Sequence, residues 1–167
     1  MGETIIETER LVIRNFDPED LDALYRLYEE SDIRYIEPLS EDREEELEKL
    51  KSYIHFIYGF YGFGLWAVCL KEGGRLIGRC GLQVEFIGDE GEYELGYMIS
   101  GKYTGQGYAE EAVKAILEYA DEDLEAPRVI VQIHKDNEPS RRFAEKLGFR
   151  RASEKDRDSL EVYIYDL

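Results

Sequence analysis

Leu11 and Ile13 alternate with Val12 and Arg14 in ERLVIRNF, residues 9–16, and this two-residue period predicts a first strand. Asp17-Pro18-Glu19-Asp20 follows with an N-cap, a proline at the first helical position and first-turn acids. Leu21, Leu24, Tyr25 and Tyr28 then make one face of a helix. After a break at residues 32–40, Leu47, Leu50, Ile54, Ile57 and Tyr61 recur at helical spacing and predict a second helix ending in a dense aromatic run. GLWAVCLK and RLIGRCGLQVEFIG read as a hairpin about a two-residue Gly73-Gly74 turn, which would pair Cys69 with Gly78 and Ala67 with Cys80.

Residues 92–100, EYELGYMIS, form a further strand, followed by a glycine-rich segment and the clearest helical period in the chain: Ala109, Ala112, Val113, Ile116, Leu117 and Ala120. RVIVQIH has apolar residues on both faces, the pattern of a central strand. A short helix capped by Asn137 and closed by Gly148 precedes two closing strands. The order is α+β, with a strand–helix–strand crossover over residues 92–134 that should be right-handed. We expect one domain over residues 1–167, with a mixed, strongly twisted sheet of about six to seven strands and about four flanking helices.

Composition narrows the class. No stretch approaches the roughly 20 apolar residues of a membrane span, and MGETIIETER has no basic, apolar leader profile, so a cytoplasmic protein is expected. Two cysteines without metal spacing read as buried thiols, and no metal site is expected. The formal net charge of −17 argues against nucleic acid and anionic membrane as partners. Its distribution is uneven. Residues 1–100 carry 10 positive and 23 negative groups, whereas residues 101–150 carry 8 and 10, so the glycine segment is the least repulsive place for an anion.

That segment is KYTGQGYAEEA, residues 102–112. Glycines weaken a helix start unless the backbone or a ligand needs them there. Orphan N–H groups and the macrodipole make a helix start attractive to anions, and missing side chains permit close approach. Gly105-Gln106-Gly107 therefore reads as a phosphate cradle with Lys102 as a nearby cation; a bare tight turn needs the same residues. No Gly-Lys-Ser/Thr follows, which excludes a Walker loop, and Glu110 breaks the dinucleotide pattern.

Further residues share a pattern with this segment. Lys102-x-x-Gly105-x-Gly107-Tyr108-Ala109 is preceded by Glu94-Leu95-Gly96-Tyr97-Met98-Ile99. It is followed by Asn137-x-x-Ser140-x-Arg142-x-x-Glu145-Lys146-Leu147-Gly148-Phe149. With Thr8-Glu9-Arg10-Leu11-x-Ile13-Arg14 at the start, the chain resembles the GNAT superfamily of N-acetyltransferases, in particular the branch of ribosomal-protein N-terminal acetyltransferases. The resemblance implies acetyl-CoA as co-substrate, with its pyrophosphate on Gly105, Gln106, Gly107 and the amides of Tyr108 and Ala109. It also implies that the pantetheine arm pairs with the backbone of Tyr97, Met98, Ile99 and Ser100. Lys102 stands where the family usually has Arg or Gln, and Asn137, Ser140 and Arg142 are further candidate contacts. Homodimers are common in the family, and an exposed closing strand would allow sheet pairing.

Direct transfer to an amine needs a proton acceptor and a proton for the departing thiolate, but no nucleophilic residue. Glu94 is the first candidate base, against the alternative of a solvated edge acid; His134 is the runner-up and His55 is structural. The tyrosine that many members use as acid is replaced by Ala144, so Ser140 is the candidate donor, against a purely capping role. Residues 32–40 with Tyr35, Tyr53, Phe56, Tyr58 and Tyr61 would wall an acceptor pocket, although aromatics at helical spacing are core first. The expected activity is acetyl transfer to a primary amine, either a small cationic amine or a peptide N-terminus. The rivals are a non-catalytic acyl-CoA-binding module and an aminoglycoside-modifying acetyltransferase.

Overall fold

A computed structural model describes residues 1–167. The chain divides into two compact units, Met1–Gly81 with Tyr97–Ala115, and Leu82–Gly96 with Ile116–Leu167. Eight strands are hydrogen-bonded in the order β1-β2-β3-β4-β5-β6-β8-β7. They are β1 Thr4–Glu7, β2 Leu11–Arg14, β3 Leu65–Leu70, β4 Leu76–Ile87, β5 Glu90–Ile99, β6 Arg128–His134, β7 Arg150–Arg151 and β8 Leu160–Asp166. The mixed α+β class stands as expected. The strand count is higher by one, because Thr4–Glu7 pairs antiparallel with β2 through residues whose burial pattern carries no clean alternation.

In the first unit, Asp17 caps a 3-10 turn over Pro18–Asp20, and Asp20 answers with its own carboxylate on the Asp17 N–H. Helix α1, Leu21–Glu29, buries Leu24, Leu27 and Tyr28. Helix α2 spans Arg43–Ser52 and is capped by Asp42. The helix expected to continue to Tyr61 changes winding: Tyr53–Tyr58 is π-helical, and only the short α3, Gly59–Tyr61, regains α geometry. The wider turn brings residues five apart onto one side. Tyr53 and Tyr58 thus meet edge to face with centroids 5.4 Å apart. Phe16, Leu24, Leu27, Tyr28, Leu50, Ala67, Cys69, Leu76 and Met98 form the core of this unit.

The β3–β4 hairpin corrects the expected register. Trp66 faces Cys80, Val68 faces Gly78 and Cys69 faces Leu76, with a bulge between the last two pairs. The Leu70 N–H reaches Arg75 and the Gly74 N–H returns to Leu70, so the loop is Lys71–Gly74 rather than a two-residue turn. Both thiols are free and buried, and burial pushes Cys80 up to about 12.

The second unit is organised by β6, which pairs antiparallel with β8 at seven positions from Arg128↔Asp166 to His134↔Leu160. Its parallel partner is β5, and that register consists of one pair, Glu94↔Ile130. Ile130, Ala152, Val162 and Ile164 pack as a core, with Ile87 against them. Helix α4, Tyr108–Glu122, begins directly after the glycine segment, and Ala112, Val113, Ile116 and Ala120 are fully buried as the period predicted. Helix α5, Glu138–Leu147, is capped by Asn137 and closed by Gly148 in the left-handed region, as expected.

Candidate active site

The glycine segment lies in the first unit. Gly105 has φ +77° and Gly107 φ +82°, so the backbone itself demands glycine at both positions. A Cβ at Gly105 would meet nothing within 4 Å, so that side of the turn is open to approach. At Gly107 a Cβ would lie 3.4 Å from Nη2 of Arg10. The turn therefore fits a diphosphate: it presents main chain at the start of α4 with no side chain filling the bend.

Arg10 holds this turn from outside the segment. Its Nη1 donates to the Gln106 carbonyl at 2.9 Å, its guanidinium lies 4.2 Å from the Tyr108 ring centroid, and its Nε donates to Glu111 at 2.7 Å. Glu111 also accepts from the Arg10 N–H at 3.0 Å and from the Thr8 hydroxyl at 2.6 Å. Burial pushes the Glu111 carboxyl up, but the bonds from Thr8 and Arg10 outweigh it and leave the group below its ordinary range. In the sequence, the only sign of this task for Thr8 and Arg10 is their place in the Thr8–Arg14 motif.

The stretch Tyr97–Ser100 differs residue by residue. Met98 is buried in the core of the first unit, and Tyr97 and Ile99 are partly buried. Ser100 is fully buried and already engaged: its N–H donates to Ile77 at 2.7 Å and its hydroxyl to Glu30 at 2.7 Å. It thus anchors the strand end to α1. Glu30 also receives Arg75 at 2.9 Å and Lys102 at 3.4 Å. The Ser100 bond, ahead of the cations, holds the Glu30 carboxyl below its ordinary range. Lys102 is two-thirds exposed, so its ammonium is tethered at one side and open at the other.

In the second unit, Glu94 is partly buried at the single β5–β6 register pair. It accepts a short hydrogen bond from the Gln132 amide, and Arg157 donates to the Gln132 carbonyl at 3.1 Å and to Glu85 at 3.2 Å. Burial pushes the Glu94 carboxyl above its usual range; the Gln132 bond opposes this, Glu85 adds to it and Arg157 draws it down. The solvated-edge alternative therefore fails. Glu92, on the same face, is buried and held by Arg128. His134 accepts the Asp136 N–H on Nδ1 at 3.1 Å.

Asn137 accepts the Ser140 N–H at 3.4 Å, the capping role expected of it. Arg142 is exposed and paired with Glu138 at 3.1 Å, whereas Arg141 turns to Glu161 at 3.2 Å and to the Tyr163 hydroxyl at 3.4 Å. Of the aromatics, Tyr58 donates to the Leu65 carbonyl at 2.6 Å and accepts from Phe16, and Tyr53 accepts from the Leu65 N–H at 2.8 Å. Those two are structural. Tyr35, Phe56 and Tyr61 remain exposed.

Comparison with known proteins places this arrangement. The family model described as the GNAT acetyltransferase domain matches residues 10–150. An uncharacterised N-acetyltransferase of Bacillus subtilis, YnaD, is 32% identical over 146 residues, covering 87% of this chain and 82% of its own. An acetyltransferase from Agrobacterium tumefaciens superposes with a TM-score of 0.79 at 24% identity, covering 100% of this chain and 96% of its own. The ribosomal L7/L12 alpha-N-protein acetyltransferase RimL, in complex with coenzyme A, gives 0.73 at 17%, covering 99% and 98%. The chain belongs to the GNAT family and is an acetyl-CoA-dependent N-acyltransferase. No helix is long and apolar enough to cross a membrane.

Proposed function

We propose that the chain acetylates a primary amine by direct transfer, with Glu94 as proton acceptor and Ser140 as proton donor. Acetyl-CoA supplies the activated acetyl group when bound. The open turn at Gly105-Gln106-Gly107 holds its diphosphate, with Lys102 nearby and the main chain of Tyr97, Met98 and Ile99 along its extended arm. The bend at Gly105, where a Cβ would meet nothing within 4 Å, supports the diphosphate part of that reading. Ser100 serves by position rather than by contact.

Glu94 carries the assignment. An amine attacks only when neutral, and a carboxyl raised by burial is a better match to an ammonium than an ordinary one. Gln132 fixes its orientation. The acceptor is a small cationic amine or a peptide N-terminus, attracted by the surplus of acidic groups in residues 1–100. Thiol release from acetyl-CoA, measured across amines, aminoglycosides and peptides, is the test. Turnover that survives Glu94→Gln unchanged at every pH would remove the base assignment. Tight binding of acetyl-CoA without turnover of any acceptor would favour the non-catalytic module.

A further inference from the structure

Glu30 is the C-cap of α1, where the last helix carbonyls concentrate negative charge and an acid is disfavoured. Its side chain is nonetheless nine-tenths buried, and it collects three donors from separate stretches of the first unit. Arg75, just before β4, donates from Nη2 to Oε1 at 2.9 Å. The Ser100 hydroxyl, just after β5, donates to Oε2 at 2.7 Å, and the Lys102 ammonium lies 3.4 Å from Oε1. The main chain joins in: the Gly101 N–H donates to the Glu30 carbonyl at 2.8 Å. A Cβ on Gly101 would lie 2.6 Å from that oxygen, so the approach depends on glycine.

Lys102 is thereby gripped at both ends. Ser100 Oγ, which gives its proton to Glu30, accepts the Lys102 N–H at 3.2 Å, while Glu30 itself takes the ammonium. Hydrogen bonds linked in this way polarise and strengthen one another. A lysine side chain has much rotamer freedom to lose, and fixing it before a ligand arrives removes that cost from binding. Arg75 has a different duty. Two cations against one carboxylate leave the cluster positive within a chain of net charge −17, so the acid does not repel an anion at the neighbouring turn.

We propose that Glu30 is a positioning residue of the cofactor site, acting through Lys102 to preset the entry to the glycine turn for the diphosphate of acetyl-CoA. This rests on the diphosphate reading above and adds to it a residue that touches no ligand. Charge alone predicts the reverse of what positioning predicts, since deleting an acid beside an anion site should tighten binding. A glutamine at position 30 has one acceptor oxygen and turns an NH2 group toward donors, so it cannot serve Arg75, Ser100 and Lys102 together. The sign of the change therefore separates the two.

Glu30→Gln, Lys102→Met and the double variant test this, by calorimetric titration with coenzyme A and by steady-state kinetics in acetyl-CoA. Glu30→Gln should weaken coenzyme A binding roughly 10-fold, the size of one charge-assisted hydrogen bond, and should raise KM more than it lowers kcat. Lys102→Met should weaken binding by a similar factor. Adding Glu30→Gln to it should bring little more, because a residue that acts through another falls silent once that other is gone. Should Glu30→Gln not fold, Glu30→Asp, with its shorter stem, carries the same comparison. Unchanged or tighter binding in the position-30 variant would overturn the proposal, and so would losses that simply add. Weaker binding in Lys102→Met beside an unaffected position-30 variant removes this proposal alone. Unchanged binding in Lys102→Met removes Lys102 from the diphosphate site, and the role of Glu30 with it.

Discussion

Arg10 donates to the carbonyl of Gln106 at 2.9 Å, a contact between residues 96 positions apart. The same side chain stacks on Tyr108 and pairs with Glu111, so the turn at the start of α4 is braced by the residue just before β2. A preorganised turn loses less entropy when its ligand binds.

Arg10→Ala and Glu111→Gln should therefore raise the KM for acetyl-CoA while leaving kcat nearly unchanged. A shift of roughly 3- to 10-fold is expected if the turn loosens by a fraction of an ångström. Steady-state kinetics with one saturating acceptor checks it, and a fall confined to kcat would contradict the bracing role.

Gly105 and Gly107 should separate conformational cost from blocked approach. Both have positive φ, so an alanine at either costs roughly 1–2 kcal/mol of stability. At Gly107, valine would strain the backbone of the free protein as well as obstruct the turn, so its effect on folding and on binding should appear together. Gly105→Ala projects its methyl into open space, and a further loss of coenzyme A affinity beyond its stability cost would mark the side from which the ligand comes. Thermal unfolding paired with calorimetric titration measures both quantities.

Glu94 should divide activity from stability. Its raised pKa means that the folded state holds a proton that the unfolded state has released, so folding stability falls as pH rises from the ordinary carboxylate range through the raised value. Glu94→Gln removes that penalty and should leave stability near neutral pH unchanged or higher. The rate should fall by roughly 10²–10⁴-fold, and the acid limb of its pH profile should flatten. An unaltered acid limb would assign that limb to another group.

Tyr58 should behave in the opposite way. Tyr58→Phe strands the Leu65 carbonyl and the Phe16 N–H, a loss of roughly 1–3 kcal/mol in unfolding free energy. Acceptor KM should be unmoved. Phe60→Ala, at an exposed ring, should leave stability within about 0.5 kcal/mol.

What was legible in the chain was local. Apolar runs between turn residues marked seven of the eight strands, and period 3.6 marked the buried face of α4, since both are local features of the chain. Asp17, Asn137 and Gly148 announced their caps, because capping is settled within a few residues. The π-helical turn at Tyr53–Tyr58 was not legible, because its spacing is imposed by two tyrosine hydroxyls bonding to Leu65 on β3.

By itself the sequence determined the fold class and the family, and its short motifs marked Gly105, Gly107, Glu94 and Ser140 as candidates. Tertiary structure alone decided what surrounds those positions. Arg10 reaches Gln106, Gln132 reaches Glu94, and Ser100 is spent on Glu30. The reason is physical: hydrogen bonds and ion pairs act over a few ångströms in space, and only the folded packing of strands, turns and helix ends brings together residues that the chain holds far apart.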